Sequence, residues 1–450
     1  MVMLDTTVVN VALPAFEWSL GANDAQLSWI VTGYTLASGI SLIPAGRLGD
    51  RIGHKPVFLA GLAVFTLASL WCGLAQSADE LVVARIVQGL GGGIFYPTVT
   101  SFIQVLYSGR ARGRAFGLMG SVIGMTTALG PLLGGILIET LGVEDGWRWI
   151  FFVNVPIGVV LFAAGLALLP RGRVAGEQRS GIDPVGIGLV TIGLVAIILP
   201  LVQSSEGGWP GWTWSLVVVG VVVLIAFYAW ERRVERAGRA PLVPPRLFAH
   251  RSFTGGVING TAFFAAFTAV FFVLSIYWQT ALGRSALETG LMMVPNALAS
   301  AVGAFLSERA THRIGRGVLV IGAGAVSIGL VWLALVVLLV PPAHTDWLTV
   351  LAPTVLVGFG TGFFIEPNTQ FIVSTVDPIE AGAASGVVST VQRLGAAIGI
   401  AIVAATFFGV SAAAGPAIGV PVAIGASAVL SFIAFALVFA LPRRLPEFHG

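Results

Sequence analysis

Four ionisable side chains fall inside long apolar stretches of this 450-residue chain: Asp5, Arg85, Glu366 and Arg393. Burial out of water favours the neutral form of a carboxyl group, and a nearby arginine opposes that preference. An acid balanced in this way binds or releases a proton when a bound molecule or a moving helix changes its surroundings. Such a linkage lets a proton gradient drive a second movement. Asp5 is the expected proton carrier and Arg85 its modulating partner. Glu366, just before Pro367, is expected to bind a cationic molecule, to act as a second proton site or to form a structural pair with Arg393. Asn10 and Gln392 either line the same cavity or hold helices together. No His/Asp cluster with metal-ligand spacing, no Ser/His/Asp arrangement and no lysine-ended phosphate loop accompanies them. Enzymatic chemistry, a metal, a cofactor and ATP drive are therefore not expected; the proton gradient is the expected energy source.

The elements that hold these groups follow from composition. The chain is 56% hydrophobic and 10% charged, with a mean hydropathy of +0.93. Soluble domains carry about 25% charged residues, so this chain has too little polar surface to cover itself in water, and lipid must be its solvent. The net charge of +3 does not point to nucleic acid, because the basic residues sit in short loops and form no stripe. The single cysteine, Cys72, excludes an intrachain disulfide. No basic n-region or small-residue cleavage site marks the amino terminus, so no cleavable signal is expected.

A membrane-crossing helix needs about 20 mainly apolar residues. Candidates lie near 1–18, 27–48, 56–76, 81–106, 114–141, 148–169, 182–203 and 212–230. Six more lie near 253–280, 288–307, 317–341, 347–373, 383–409 and 417–441. The expectation is an all-α integral membrane protein with fourteen spans. Twenty of the 24 Lys and Arg residues follow even-numbered spans or close the chain; only Arg148 and Arg284 lie in loops on the other side. Positively charged loops stay cytoplasmic, which puts both termini in the cytoplasm. The first span is barely long enough, and Asp5 would sit near its cytoplasmic end. Residues upstream of Met1 are expected to complete this helix, the alternative being a short first helix.

The chain also echoes itself. Arg51-Ile52-Gly53-His54 returns as Arg313-Ile314-Gly315-Arg316, and Gly91-Gly92-Gly93-Ile94-Phe95-Tyr96-Pro97 as Gly360-Thr361-Gly362-Phe363-Phe364-Ile365-Glu366-Pro367. Ala115-Phe116-Gly117 returns as Ala384-Ser385-Gly386. Three matches in one order indicate two homologous six-helix bundles, residues 1–169 and 253–450, joined by a two-helix insertion and basic linker at 170–252. Parallel repeats with a pathway between them are a transporter architecture.

The loop Gly46-Arg47-Leu48-Gly49-Asp50-Arg51-Ile52-Gly53-His54-Lys55 closely resembles the signature loop of the major facilitator superfamily. Its glycines suit a tight turn, Asp50 can meet a helix N-terminus or arginine, and Arg51 and Lys55 are expected to anchor the loop at the anionic inner leaflet. Gly130-Pro131-Leu132-Leu133-Gly134-Gly135 resembles the antiporter motif of exporters in that superfamily, although a plain proline kink would look similar. Arg85-Ile86-Val87-Gln88-Gly89-Leu90-Gly91-Gly92-Gly93 is similar to the family's second motif. Leu4-Asp5-Thr6-Thr7-Val8-Val9-Asn10-Val11-Ala12-Leu13-Pro14 and Trp147-Arg148-Trp149-Ile150-Phe151-Phe152-Val153-Asn154-Val155-Pro156 resemble motifs of its fourteen-span drug:proton antiporters.

The resemblance implies the major facilitator fold. It further implies exchange of protons for drugs, dyes, antiseptics or secreted antibiotics, a gating role for Gly46, Asp50, Arg51, Gly53 and Lys55, and a link between Arg85 and proton transfer. The expected partners are small amphipathic molecules of cationic character, protons and the lipid of a bacterial cell membrane, with the chain acting as a monomer. An uptake symporter or a lipid or metabolite carrier on the same fold is the alternative.

Overall fold

The computed structural model describes residues 1–107, 109–170, 183–203, 211–239, 241–373 and 381–443, all helical or connecting segments. Arg171, Arg173, Arg179 and Arg444, counted above as topology signals, lie outside the described residues, as do the side chains of Asp50 and Arg51. Fifteen α-helices follow one another: α1 Val2–Leu20, α2 Asp24–Ile52, α3 His54–Leu74, α4 Ala78–Leu106, α5 Gly109–Leu141, α6 Gly146–Phe152, α7 Asn154–Leu168 and α8 Pro184–Gln203. Then come α9 Gly211–Arg236, α10 Arg251–Ile276, α11 Ala286–Ile314, α12 Gly317–Leu339, α13 Trp347–Val373, α14 Ala381–Ala414 and α15 Pro416–Val438.

Nine described segments are long and apolar enough to cross a membrane by length and composition. One of them joins α6 and α7 across the break at Val153, and another carries α10 into a π-helical turn at Tyr277–Ala281. Helices α1, α2, α4, α5 and α8 fall outside this set. Of these, α1 and α4 carry Asp5, Asn10, Arg85 and Gln88, so there the groups that could do chemistry also dilute the hydropathy that would mark a span.

The signature loop differs from its expected form. Residues Gly46 to Ile52 continue α2 as helix, and the turn is confined to Gly53, whose φ of 97° a side-chain-bearing residue rarely adopts. Lys55 does not reach toward lipid headgroups. It is buried, and its Nζ donates to the carbonyl oxygens of Leu166 (2.8 Å) and Leu169 (2.7 Å), capping the C-terminus of α7. The unsatisfied carbonyls and negative end of that helix hold the cation more firmly than a hydrated surface would.

The internal repeat runs deeper than its three sequence matches. Gly21 and Gly283 both have positive φ (63° and 62°), and each leads into a capping box, Asn23 with Gln26 and Ser285 with Glu288. Gly53 and Gly315 then break the chain at matching points. In the first half α4 lies between α2 and α3; in the second α13 lies between α11 and α12. A Cβ on Gly89 or Gly93 would strike the carbonyls of Tyr34 or Ser38, and one on Gly358 or Gly362 those of Asn296 or Ser300. The same small residues thus bring the same helix pairs into backbone contact twice.

Helices α1–α7 pack among themselves, and so do α10–α15. The two groups meet where α5 lies along α11 and where α2 lies along α14. The α8–α9 hairpin covers the second seam: Leu194 and Ile198 of α8 form one apolar cluster with Leu36 of α2 and Leu394, Ala397 and Ala401 of α14.

Candidate functional site

Asp5 is fully buried in α1 and faces donors from two other helices. Its Oδ2 pairs with Arg85 Nη1, and its Oδ1 accepts from Gln88 Nε2 (2.9 Å) and Asn154 Nδ2 (3.1 Å). Arg85, 1% exposed, also donates to Gln88 Oε1 (2.7 Å) and to the Ile30 carbonyl (3.1 Å). Its guanidinium carbon lies 4.0 Å from the centre of the Tyr34 ring. Gln88 reaches on to Ser69 Oγ (2.6 Å). A buried pair of charges survives in low dielectric only when hydrogen bonds satisfy much of what remains; here the carboxylate accepts three N–H bonds, and the guanidinium gives three and lies over the Tyr34 ring.

The arrangement is specific to one protonation state. Every described partner of the Asp5 carboxylate is an N–H donor. A protonated Asp5 would carry an O–H in need of an acceptor, which these three groups supply only if an amide turns over or a helix moves. Phe16, Trp147 and Phe151, all fully buried, form a cluster that packs α1 against α6: Trp147 meets both phenylalanines edge-to-face (5.2 Å between centroids for Phe16), and the two phenylalanine rings lie near parallel.

Asp5 lies level with Ile30 and Tyr34 of α2, about 30 Å by helix rise from Ile52. The sequence placed Asp5 and Arg85 together. Gln88 could have been found from its position one turn after Arg85 on the same helix face, and Asn154 from the Trp147–Pro156 motif, which marked the segment without assigning the residue a role.

The other expected residues divide. Gly130 and Gly134 lie against Thr7 and Val8 of α1, while Gly135 lies against Ala286 and Leu287 of α11. Pro131 meets Gly290 through its carbonyl. The antiporter-like segment is therefore an interlock of α5 with α1 and α11, within an unbroken α5. The Asn10 carbonyl accepts from Ser275 Oγ, and that of Val11 from Gln279 Nε2 (2.9 Å), so α1 is tied to the second half at the same level. Near the other end of the molecule, a Cβ on Gly46 of α2 or Gly386 of α14 would meet nothing within 4 Å.

Arg393 gives its hydrogen bond to Ser38 Oγ of α2 (2.9 Å), not to Glu366, and its guanidinium lies 5.4 Å from the Tyr96 ring of α4. Glu366 is an exposed residue of α13 with interactions of its own, and Gln392 is partly buried beside Arg393.

Residues 1–184 and 184–400 each match the family described as Major Facilitator Superfamily. The chain is 36% identical to a probable actinorhodin transporter of Streptomyces coelicolor, over 91% of this chain and 70% of that one. It is 37% identical to a puromycin resistance protein of Streptomyces alboniger (92% and 80%) and 32% identical to a tetracenomycin C resistance and export protein of Streptomyces glaucescens (89% and 72%). A crystal structure of an auto-inhibited POT family peptide transporter superposes with a TM-score of 0.67 over 100% of this chain and 99% of that one; at 17% identity it shows a shared fold. With its family match across two consecutive stretches and its paired halves, the chain belongs to the major facilitator superfamily and is a multi-pass membrane transporter rather than an enzyme.

Proposed function

We propose that this transporter is a proton-coupled antiporter that exports small amphipathic molecules, antibiotics among them, by alternating access. One observation carries the reading: a fully buried carboxylate, Asp5, paired with Arg85 and surrounded by donors that fit only its charged form. An intramembrane acid of this kind is functional by default. Relatives named for export of or resistance to antibiotics support the direction and the cargo.

In this reading residues 1–169 and 253–450 are the two rocking bundles, and 170–252 form the hairpin and linker between them. The chain crosses the bacterial cell membrane fourteen times as a monomer, with both termini in the cytoplasm. The interlock of α1 and α5 with α10 and α11 closes the outer side, and the room beside Gly46 and Gly386 is the entrance from the cytoplasm. Gly46, Asp50, Arg51, Gly53 and Lys55 form the hinge that changes when that entrance shuts.

The test is transport by proteoliposomes under an imposed proton gradient of either sign, for wild type, Asp5→Asn and Glu366→Gln. An exporter moves a fluorescent dye against the inward proton flow and stops when an uncoupler is added. Dye movement in the same direction as the protons would make the chain an uptake symporter instead.

A further inference from the structure

Arg393 differs from Arg85 in one respect that matters. Arg85 is neutralised by Asp5, whereas Arg393 pairs with no carboxylate among the described residues. It carries five N–H donors and cannot lose its charge. Its described contacts are one neutral hydroxyl, Ser38, and the face of one aromatic ring, Tyr96. A cation left in this condition within an apolar helix is costly unless water or a ligand supplies the missing acceptors.

The packing shows which side of the helix that ligand would approach. The outer side of the α2–α14 seam is covered by α8, whose Leu194 and Ile198 meet Leu36 and Leu394. Arg393 precedes Leu394 and turns the other way, to Tyr96 on α4. Its partial exposure therefore lies on the α4 side of the seam between the halves, away from α8.

We infer that Arg393 is the recognition point for an acidic group of the exported molecule, a carboxylate or phenolate on an aromatic frame. The planar guanidinium fork matches a carboxylate in two places at once, and the Tyr96 ring offers a face for the attached aromatic system. Because Arg393 bonds Ser38 across the seam between halves, an anion that takes over its donors acts on that seam as well. This inference rests on the transport reading for its purpose, and it reverses the cationic character expected from Glu366.

Equilibrium binding separates it from the question of export. Carboxyfluorescein, which is anionic, and rhodamine 6G, a cationic xanthene whose carboxyl is esterified, are titrated onto the purified full-length protein in lipid nanodiscs by fluorescence polarisation. Wild type is expected to bind carboxyfluorescein in preference to rhodamine 6G. Arg393→Gln and Arg393→Ala should weaken the acid by about 10- to 100-fold, the range of a hydrogen bond to a charged group. Neither should weaken the ester, and Arg393→Lys should restore part of the loss. A preference for rhodamine 6G in wild type overturns the inference with no variant needed. Equal loss of both dyes in the variants, or unchanged acid binding, overturns it too. None of these outcomes depends on the direction of transport, which the gradient experiment decides separately.

Discussion

The two halves of this transporter are built alike and filled differently. Gly89 and Gly358 occupy matching positions, each pressed against a carbonyl of the preceding helix pair, Tyr34 or Asn296. Counting back from them, Arg85 corresponds to Thr354, and Gln88 to Val357. The first half therefore buries an ion pair with its amide partners, where the second has a neutral contact, Asn296 Nδ2 to the Thr354 carbonyl (2.9 Å), and an apolar side chain. Where the halves do match, both carry an aromatic: Phe95 of α4 meets Phe65 edge-on with ring centroids 5.6 Å apart, and Phe364 of α13 stacks on Phe263 at 3.9 Å. Shared backbone contacts keep the two bundles the same shape, and the difference in side chains gives only the first a buried ion pair among the described residues.

The contrast is broken most severely at its charged member. Arg85→Ala strands the Asp5 carboxylate and should cost about 3–5 kcal/mol, whereas Thr354→Ala, whose hydroxyl bonds back to the Val350 and Leu351 carbonyls of its own helix, should cost about 1 kcal/mol or less. Thermal unfolding in detergent compares the two, and equal losses would mean the halves do not differ as described. Next come the shared glycines. Gly93→Val and Gly362→Val each force a side chain into a facing carbonyl and should lose about 1–3 kcal/mol, by similar amounts in both halves. Gln88→Leu removes a donor to Asp5 and a partner of Arg85; about 1–3 kcal/mol is expected, along with a displaced pH profile of dye efflux. An unaltered profile would separate Gln88 from proton handling. Smallest are the caps at the start of α4 and α13, where Ser77 Oγ accepts from Glu80 N (3.3 Å) and Asp346 Oδ1 from Thr349 N (2.9 Å). Ser77→Ala and Asp346→Ala should each cost about 1 kcal/mol, a symmetric pair that sharpens the asymmetry at Arg85.

The fold was legible because lipid makes a coarse demand: long apolar runs, basic loops on one side, glycine wherever helices touch. The Asp5–Arg85 pair was legible for the same reason, since two charges in apolar runs need each other. What stayed hidden depended on helix rotation and level. Lys55 reads as a surface cation by type, yet it caps α7 because the α2–α3 turn brings it beneath those carbonyls. Asp5 sits deeper than its place near Met1 implied, because α1 packs alongside the first third of α2. A structural pair with Arg393 stood among the three roles open to Glu366, because a sequence cannot show α14 turning Arg393 toward α2 and α4.

The central claim is that Asp5 couples proton movement to transport, and its most direct test compares two modes in one preparation. Proteoliposomes containing wild type or Asp5→Asn are assayed for dye accumulation driven by a proton gradient and for dye exchange at equilibrium, where no net proton movement is needed. Asp5→Asn should keep exchange and lose accumulation. Accumulation at the wild-type level in Asp5→Asn would contradict the assignment.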